Sequence, residues 1–139
     1  MIASELVVVE DSPTDFQILT LTLESLGFSL PIRRLKSYDE AMAWVHRRDA
    51  QPLLMLLDLN LHGQNGRDIL RAVRSHESLR GLPVVVLTTS TDPRDVDECY
   101  RAGASGYMVK QIDLNVFEEQ MRDFVHYWFK SCQLIRSYS

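Results

Sequence analysis

The stretch Leu53-Leu54-Met55-Leu56-Leu57-Asp58-Leu59-Asn60-Leu61 decides the reading of this chain. Its first five residues are wholly apolar, too few for a helix and without the polar alternation of a half-exposed strand. Such a run is a strand buried on both faces, and here it stops at an acid, Asp58. The same wording recurs to either side. Residues 6–9 are apolar, rich in β-branched valine, and end at Glu10-Asp11; residues 84–87 end at Thr88-Thr89-Ser90. Weaker strands are expected at 31–35 and at 106–109, the latter ending at Lys110.

The segments between carry helix signals. Ser12-Pro13-Thr14-Asp15 offers a cap and a proline at the first helical position. Phe16, Leu19, Leu23 and Leu26 follow at spacings of three and four, with Gly27 as the stop. Ser37-Tyr38-Asp39-Glu40 is a capping box ahead of Ala41, Trp44 and Val45. Gly66 precedes Ile69, Leu70 and Val73, and Asp92-Pro93 repeats the cap-and-proline signature before Val96, Cys99 and Tyr100. Asp113 opens a last helix expected from Leu114 to beyond Phe129. Five strands alternating with five helices predict an α/β fold, a parallel sheet with helices on both faces.

Composition narrows the class. A chain of 139 residues suits one domain, since domains cluster near ~100–150 residues. No apolar run approaches the ~20 residues of a membrane span, and the N-terminal residues lack a basic, cleavable leader, so a soluble cytoplasmic protein is expected. Two cysteines, Cys99 and Cys132, make no disulfide framework. A net charge of −4 is the wrong sign for gripping a phosphate backbone, so neither DNA nor a membrane is an expected partner.

In open α/β sheets, ligands sit beyond the carboxyl ends of the strands. Glu10, Asp11 and Asp58, the hydroxyls of Thr88, Thr89 and Ser90, and the Lys110 ammonium all follow strands, so they converge on one edge. Three carboxylates in one pocket need a cation to stay ionised, and an all-oxygen site with room for water favours Mg2+.

These residues resemble the receiver domain of two-component response regulators over roughly 4–130. The matching pieces are VVVEDS at 7–12, LLDLNL at 56–61, NGRDIL at 65–70, PVVVLTTS at 83–90 and AGASGYMVK at 102–110. The resemblance implies a flavodoxin-like sheet of order 2-1-3-4-5, with residues 1–130 as the receiver and 131–139 as an extension of its last helix. It implies that Asp58 accepts a phosphoryl group from a sensor histidine kinase. Mg2+ would be held by Asp11 and Asp58, by the Asn60 carbonyl, and by Glu10 through water. Thr88 and Lys110 would meet the phosphoryl group, Tyr107 would turn with the switch, and Asn60 and Ser90 would govern water access. The surface of helix four, strand five and helix five would carry the signal. Within the family, the wording is similar to stand-alone receivers paired with bacterial phytochrome kinases.

Some positions depart from the pattern. Gln111 follows Lys110 where proline, often cis, is usual; a non-proline cis bond costs ~2.5–4 kcal/mol, so a trans peptide or retained strain is expected. His62 and Gln64 replace common loop residues, His62 being read as solvated, and Thr89 is bulkier than usual. His46, His76 and His126 look scattered. Phe117, Met121, Phe124, Trp128 and Phe129 form a stripe. A helix reaching Ile135 would span ~30 Å, past the ~17–20 Å of a strand. That overhang predicts a homodimer through the helix-four, strand-five, helix-five side and the tail, against the alternative of a tail folded back on its own domain.

Three rival functions differ from the switch in what they require of these residues. An aspartyl phosphatase needs an acid where Asn60 stands. A flavodoxin-type mononucleotide site would be repelled by Glu10-Asp11. A degenerate receiver that only scaffolds is the alternative to the switch.

Overall fold

The apolar runs become the centre of a parallel sheet. The computed structural model describes residues 4–48 and 51–135. Strands β1 (Ser4–Val9), β2 (Ile32–Leu35), β3 (Gln51–Leu57), β4 (Val84–Thr88) and β5 (Gly106–Val109) lie in the order β2-β1-β3-β4-β5, every neighbouring pair parallel. This is the flavodoxin-like order. Helices α1 (Pro13–Ser25), α2 (Tyr38–His46), α3 (Gly66–Ser75), α4 (Pro93–Arg101) and α5 (Leu114–His126) alternate with them.

The caps sit where the side chains call for them. Ser12 Oγ accepts from the Asp15 N–H at 3.2 Å, Ser37 Oγ from Glu40 at 3.1 Å, and Asp113 Oδ1 from Asn115 at 2.8 Å. Glu40 reaches back to the Lys36 N–H at 3.1 Å, one residue further than an ideal capping box.

Alternation along the strands sorts the core into two layers. Val7, Val9, Met55, Leu57 and Val84 face α2 and α3 through Ala41, Trp44, Val45, Ile69, Leu70 and Val73. Leu6, Val8, Leu54, Leu56, Val85 and Leu87 face α1 and α5 through Leu19, Leu23, Phe117, Met121 and Phe124. Cys99 of α4 packs on Leu59 and Val86, an ordinary core position.

The tail departs from expectation. α5 gives way to a π-turn at Tyr127–Ser131, and Cys132 is extended, so residues 132–135 do not prolong the helix; 136–139 lie outside the described residues. The Phe129 ring lies 5.1 Å from Phe28 and 6.0 Å from Phe124, and Trp128 packs on the same layer. Phe117, Met121 and Phe124 are buried within the chain's own core. The five residues expected to form a dimer surface therefore find apolar partners in their own domain. Within one chain, the described part of the tail, residues 127–135, turns back toward this layer.

Three short elements had no sequence warning: a 3-10 turn at Glu77–Leu79, the π-turn, and an antiparallel ribbon pairing Asn60–Leu61 with Gln64–Asn65. His46 and His76, apparently scattered, have ring centroids 5.8 Å apart at the C-terminal ends of α2 and α3.

Candidate functional site

The sheet's ladder runs on past the strand ends and sets the site in a row. The Asp58 N–H donates to the Val9 carbonyl at 3.1 Å, and the Lys110 N–H donates to the Thr88 carbonyl at 2.8 Å. Glu10, Asp58 and Thr88 are all buried there. Asp58 is brought close to α3 by Gly66: a Cβ on Gly66 would stand 2.5 Å from the Asp58 carbonyl oxygen, so only glycine permits this approach.

Lys110 Nζ spends its three hydrogens on three carboxylates. It donates to Glu10 Oε1 at 2.6 Å, to Asp58 Oδ2 at 3.1 Å and to Asp15 Oδ2 at 3.2 Å. Burial pushes the Glu10 carboxyl up to about 7, with Asp58 adding to the rise and Lys110 opposing it. Burial works against the Lys110 ammonium too, but the hydrogen bond to Glu10 and the charges of Asp58 and Glu10 outweigh it and hold its pKa above the ordinary lysine value.

Glu10, Asp11 and Asp58 each offer an oxygen within 4.8 Å of the others. Carboxylate oxygens so gathered fit a hard divalent cation. Asn60 stands at the start of the ribbon, its N–H donating to Asp58 Oδ1 at 3.1 Å. The Thr88 hydroxyl is wholly buried and has no hydrogen-bond partner among the described residues. A buried hydroxyl without an acceptor is costly, and such exceptions ask for an explanation.

Among the described residues no peptide bond is cis, so the one joining Lys110 and Gln111 is trans. Tyr107 packs on Leu59, Val86 and Cys99 and donates from its hydroxyl to the Ser90 carbonyl at 2.9 Å. Ser90 and Asn60 line the same cavity of about 230 Å³ with Arg67 and Asp95, and the Ser90 hydroxyl donates to Asp95. A separate cleft of about 260 Å³, between α1 and α5, opens beside Glu10, Asp15, Thr89 and Lys110.

Sequence reasoning missed several participants. Asp15 served there only as a capping signal. Arg34 donates to the Glu10 and Asp11 carbonyls at 3.1 and 3.2 Å while lying over the Phe16 ring, which clamps the acidic loop. His62 is largely exposed, as expected of a loop residue. Its Nε2 nevertheless lies 3.3 Å from Asp11 Oδ2, turned there by a His62-Gly63 turn with φ of 48° and 81°. Arg67 pairs with Asp95 and Glu98, tying α3 to α4. The available signal was positional: Arg34 lies in the strand beside β1, and Asp15 in the first turn after it.

Comparison with known proteins bears on this edge directly. Residues 6–122 match the profile described as the response regulator receiver domain. The chain belongs to that family. Receiver domains are phospho-accepting signalling proteins that pair with histidine kinases and bind a divalent metal in an acidic pocket. Rcp1 of Synechocystis sp. (strain ATCC 27184 / PCC 6803 / Kazusa) is 28% identical over 134 residues, covering 93% of this chain and 91% of Rcp1. The structure of the Mn2+-bound form of Rcp1 is similar at a TM-score of 0.86, 28% identity, and coverage of 94% and 98%. The phosphorylated cyanobacterial phytochrome response regulator RcpA gives a TM-score of 0.88 at 26% identity, covering 95% of this chain and 98% of RcpA. RPA3017, a response regulator in red light signaling of R. palustris, gives 0.88 at 27% identity, covering 96% and 99%. This receiver is thus close, in sequence and structure, to phytochrome-associated response regulators.

Proposed function

We propose that this receiver, spanning residues 1–130, is a switch in which Asp58 takes a phosphoryl group from the phosphohistidine of a sensor histidine kinase, with Mg2+ held by Glu10, Asp11, Asp58 and the Asn60 carbonyl. The observation that carries the reading is the pairing of one half-buried ammonium, Lys110, with Glu10 and Asp58 beside a buried, unpartnered hydroxyl. A carboxylate oxygen of Asp58 attacks phosphorus, the phosphorus–nitrogen bond breaks, and the imidazole leaves with the electron pair. Lys110 takes one oxygen of the transferred group and Thr88 another, so transfer is catalysed by positioning and charge neutralisation. A divalent cation held by Glu10, Asp11 and Asp58 would offset the negative charge of the pocket and of the incoming phosphoryl group.

The cleft between α1 and α5 supports an approach for the kinase, because it opens at Lys110 and is rimmed by Ile112 and Leu114, both strongly exposed. Similarity to Rcp1, RcpA and RPA3017 supports a phytochrome-type kinase as the donor. Among the described residues no helix is long and apolar enough to cross a membrane. When Thr88 turns to the phosphoryl group, the chain from Tyr107 through Ser90 to Asp95 offers a route to the α4–β5–α5 surface. Tyr100 and Val116 are exposed there, which supports that face for partner or self association.

The test is intact-protein mass after incubation with Mg2+ and acetyl phosphate, for wild type and Asp58→Asn. A gain of one phosphoryl group in wild type alone is expected. No gain from acetyl phosphate or from a kinase would favour a scaffold that binds partners without phosphorylation.

A further inference from the structure

We propose that Asp15 is a positioning residue that keeps the Lys110 ammonium at the pocket mouth when a divalent cation occupies the acidic cluster; this rests on the phospho-acceptor reading above. Lys110 Nζ has three carboxylate partners, and two of them, Glu10 and Asp58, also belong to the cluster that fits the cation. The third, Asp15, is outside that cluster. Its carboxylate is half exposed and lines the α1–α5 cleft together with Glu10 and Lys110. The Asp15 backbone is fixed in the first turn of α1, its N–H donating to Ser12 Oγ at 3.2 Å.

A cation at Glu10, Asp11 and Asp58 draws on the carboxylates that hold Lys110 and repels the ammonium. Two like charges a few ångströms apart in a partly desolvated pocket repel far more strongly than they would in bulk water. An ammonium with no other partner would move outward, away from the oxygens it must meet. Asp15 supplies a partner that the cation does not claim, on the side of the cleft from which the donor enters. Gln111 does not share this duty, because its side-chain amide donates to the Val109 carbonyl at 3.2 Å.

Two mechanisms for Asp15 predict opposite signs. As a bare negative charge at the cleft it would repel an anionic donor, and its removal would speed labelling. As the anchor of Lys110 its removal slows labelling. The experiment compares Asp15→Asn, Asp15→Glu and Lys110→Met with wild type, following labelling by acetyl phosphate at saturating Mg2+ and the side-chain ammonium signal of Lys110 by NMR with and without Mg2+.

Asp15→Asn is expected to label roughly five- to tenfold more slowly, a fraction of the ~10²-fold that a ~1 Å misplacement of a catalytic group can cost, because Glu10 and Asp58 still hold Lys110 in part. Its Lys110 ammonium signal is expected to broaden beyond detection on addition of Mg2+, while wild type retains it. Asp15→Glu restores both, and in the Lys110→Met background Asp15→Asn adds no further loss. Labelling that is unchanged or faster in Asp15→Asn, or slowed equally in the Lys110→Met background, overturns the proposal. A wild type that binds no Mg2+ and takes no label overturns instead the phospho-acceptor reading on which it rests.

Discussion

Thr88→Val should make the unphosphorylated protein more stable while impairing its reaction. Thr88 ends β4, is wholly buried, and its hydroxyl meets no acceptor or donor among the described residues. Leaving a buried hydroxyl unsatisfied costs about 1–3 kcal/mol. Valine keeps the branched shape that suits a strand and puts a methyl where the hydroxyl was. Part of the gain is lost because the methyl is slightly larger than the oxygen it replaces, so a net stabilisation of about 1 kcal/mol is expected. For a domain of this size that is a rise in melting temperature of about 3–4 °C. Calorimetry on the metal-free protein measures it, and acetyl phosphate labelling of the same sample should show a slower gain or a shorter-lived product. A lowered melting temperature would mean that the hydroxyl is already satisfied, and would refute the inference that it waits for a phosphoryl oxygen.

Further predictions test other parts of the edge. Gly66→Ala forces a Cβ against the Asp58 carbonyl and the Leu59 backbone, so it should destabilise by about 1–3 kcal/mol and slow labelling; an unaltered melt would contradict the close approach. Arg34→Ala removes the clamp on the Glu10 and Asp11 carbonyls, and calorimetric titration should show weaker Mg2+ binding, whereas equal affinity would make the clamp irrelevant. With no cation bound, folded Glu10 keeps its proton up to about pH 7, against an ordinary value of 4.5, so its contribution favours folding at low pH and is lost as pH rises through about 7. Mg2+ must displace that proton, so it should raise the melting temperature more at about pH 8 than at about pH 6; equal increments would argue against the assignment of Glu10. Trp128→Ala with Phe129→Ala should lower stability by about 2–4 kcal/mol in a denaturant titration, because both rings pack on the chain's own core; a loss below ~0.5 kcal/mol would return them to the surface.

The sequence by itself determined the alternation of strands and helices, the caps, and the convergence of Glu10, Asp11, Asp58, Thr88 and Lys110 on one edge. Those features are local or periodic. An apolar run of five residues has one way to be buried in a sheet, and Ser12, Ser37 and Asp113 cap within three residues of themselves. The strand order came from the resemblance, since periodicity alone does not say which strand lies beside which. Tertiary structure alone decided that Asp15 meets Lys110 across 95 residues of chain, that Arg34 clamps the acidic loop from β2, and that His62 reaches Asp11. It also decided the fate of the tail. A stripe of Phe117, Met121, Phe124, Trp128 and Phe129 is the same in sequence whether it faces a second copy or its own domain. Within one chain, a π-turn beginning at Tyr127 and Phe28 at the right distance turn the end of the stripe onto the chain's own core, and neither is written in the spacing of the stripe. Long flexible side chains and the exact winding of a helix end are set by what packs against them.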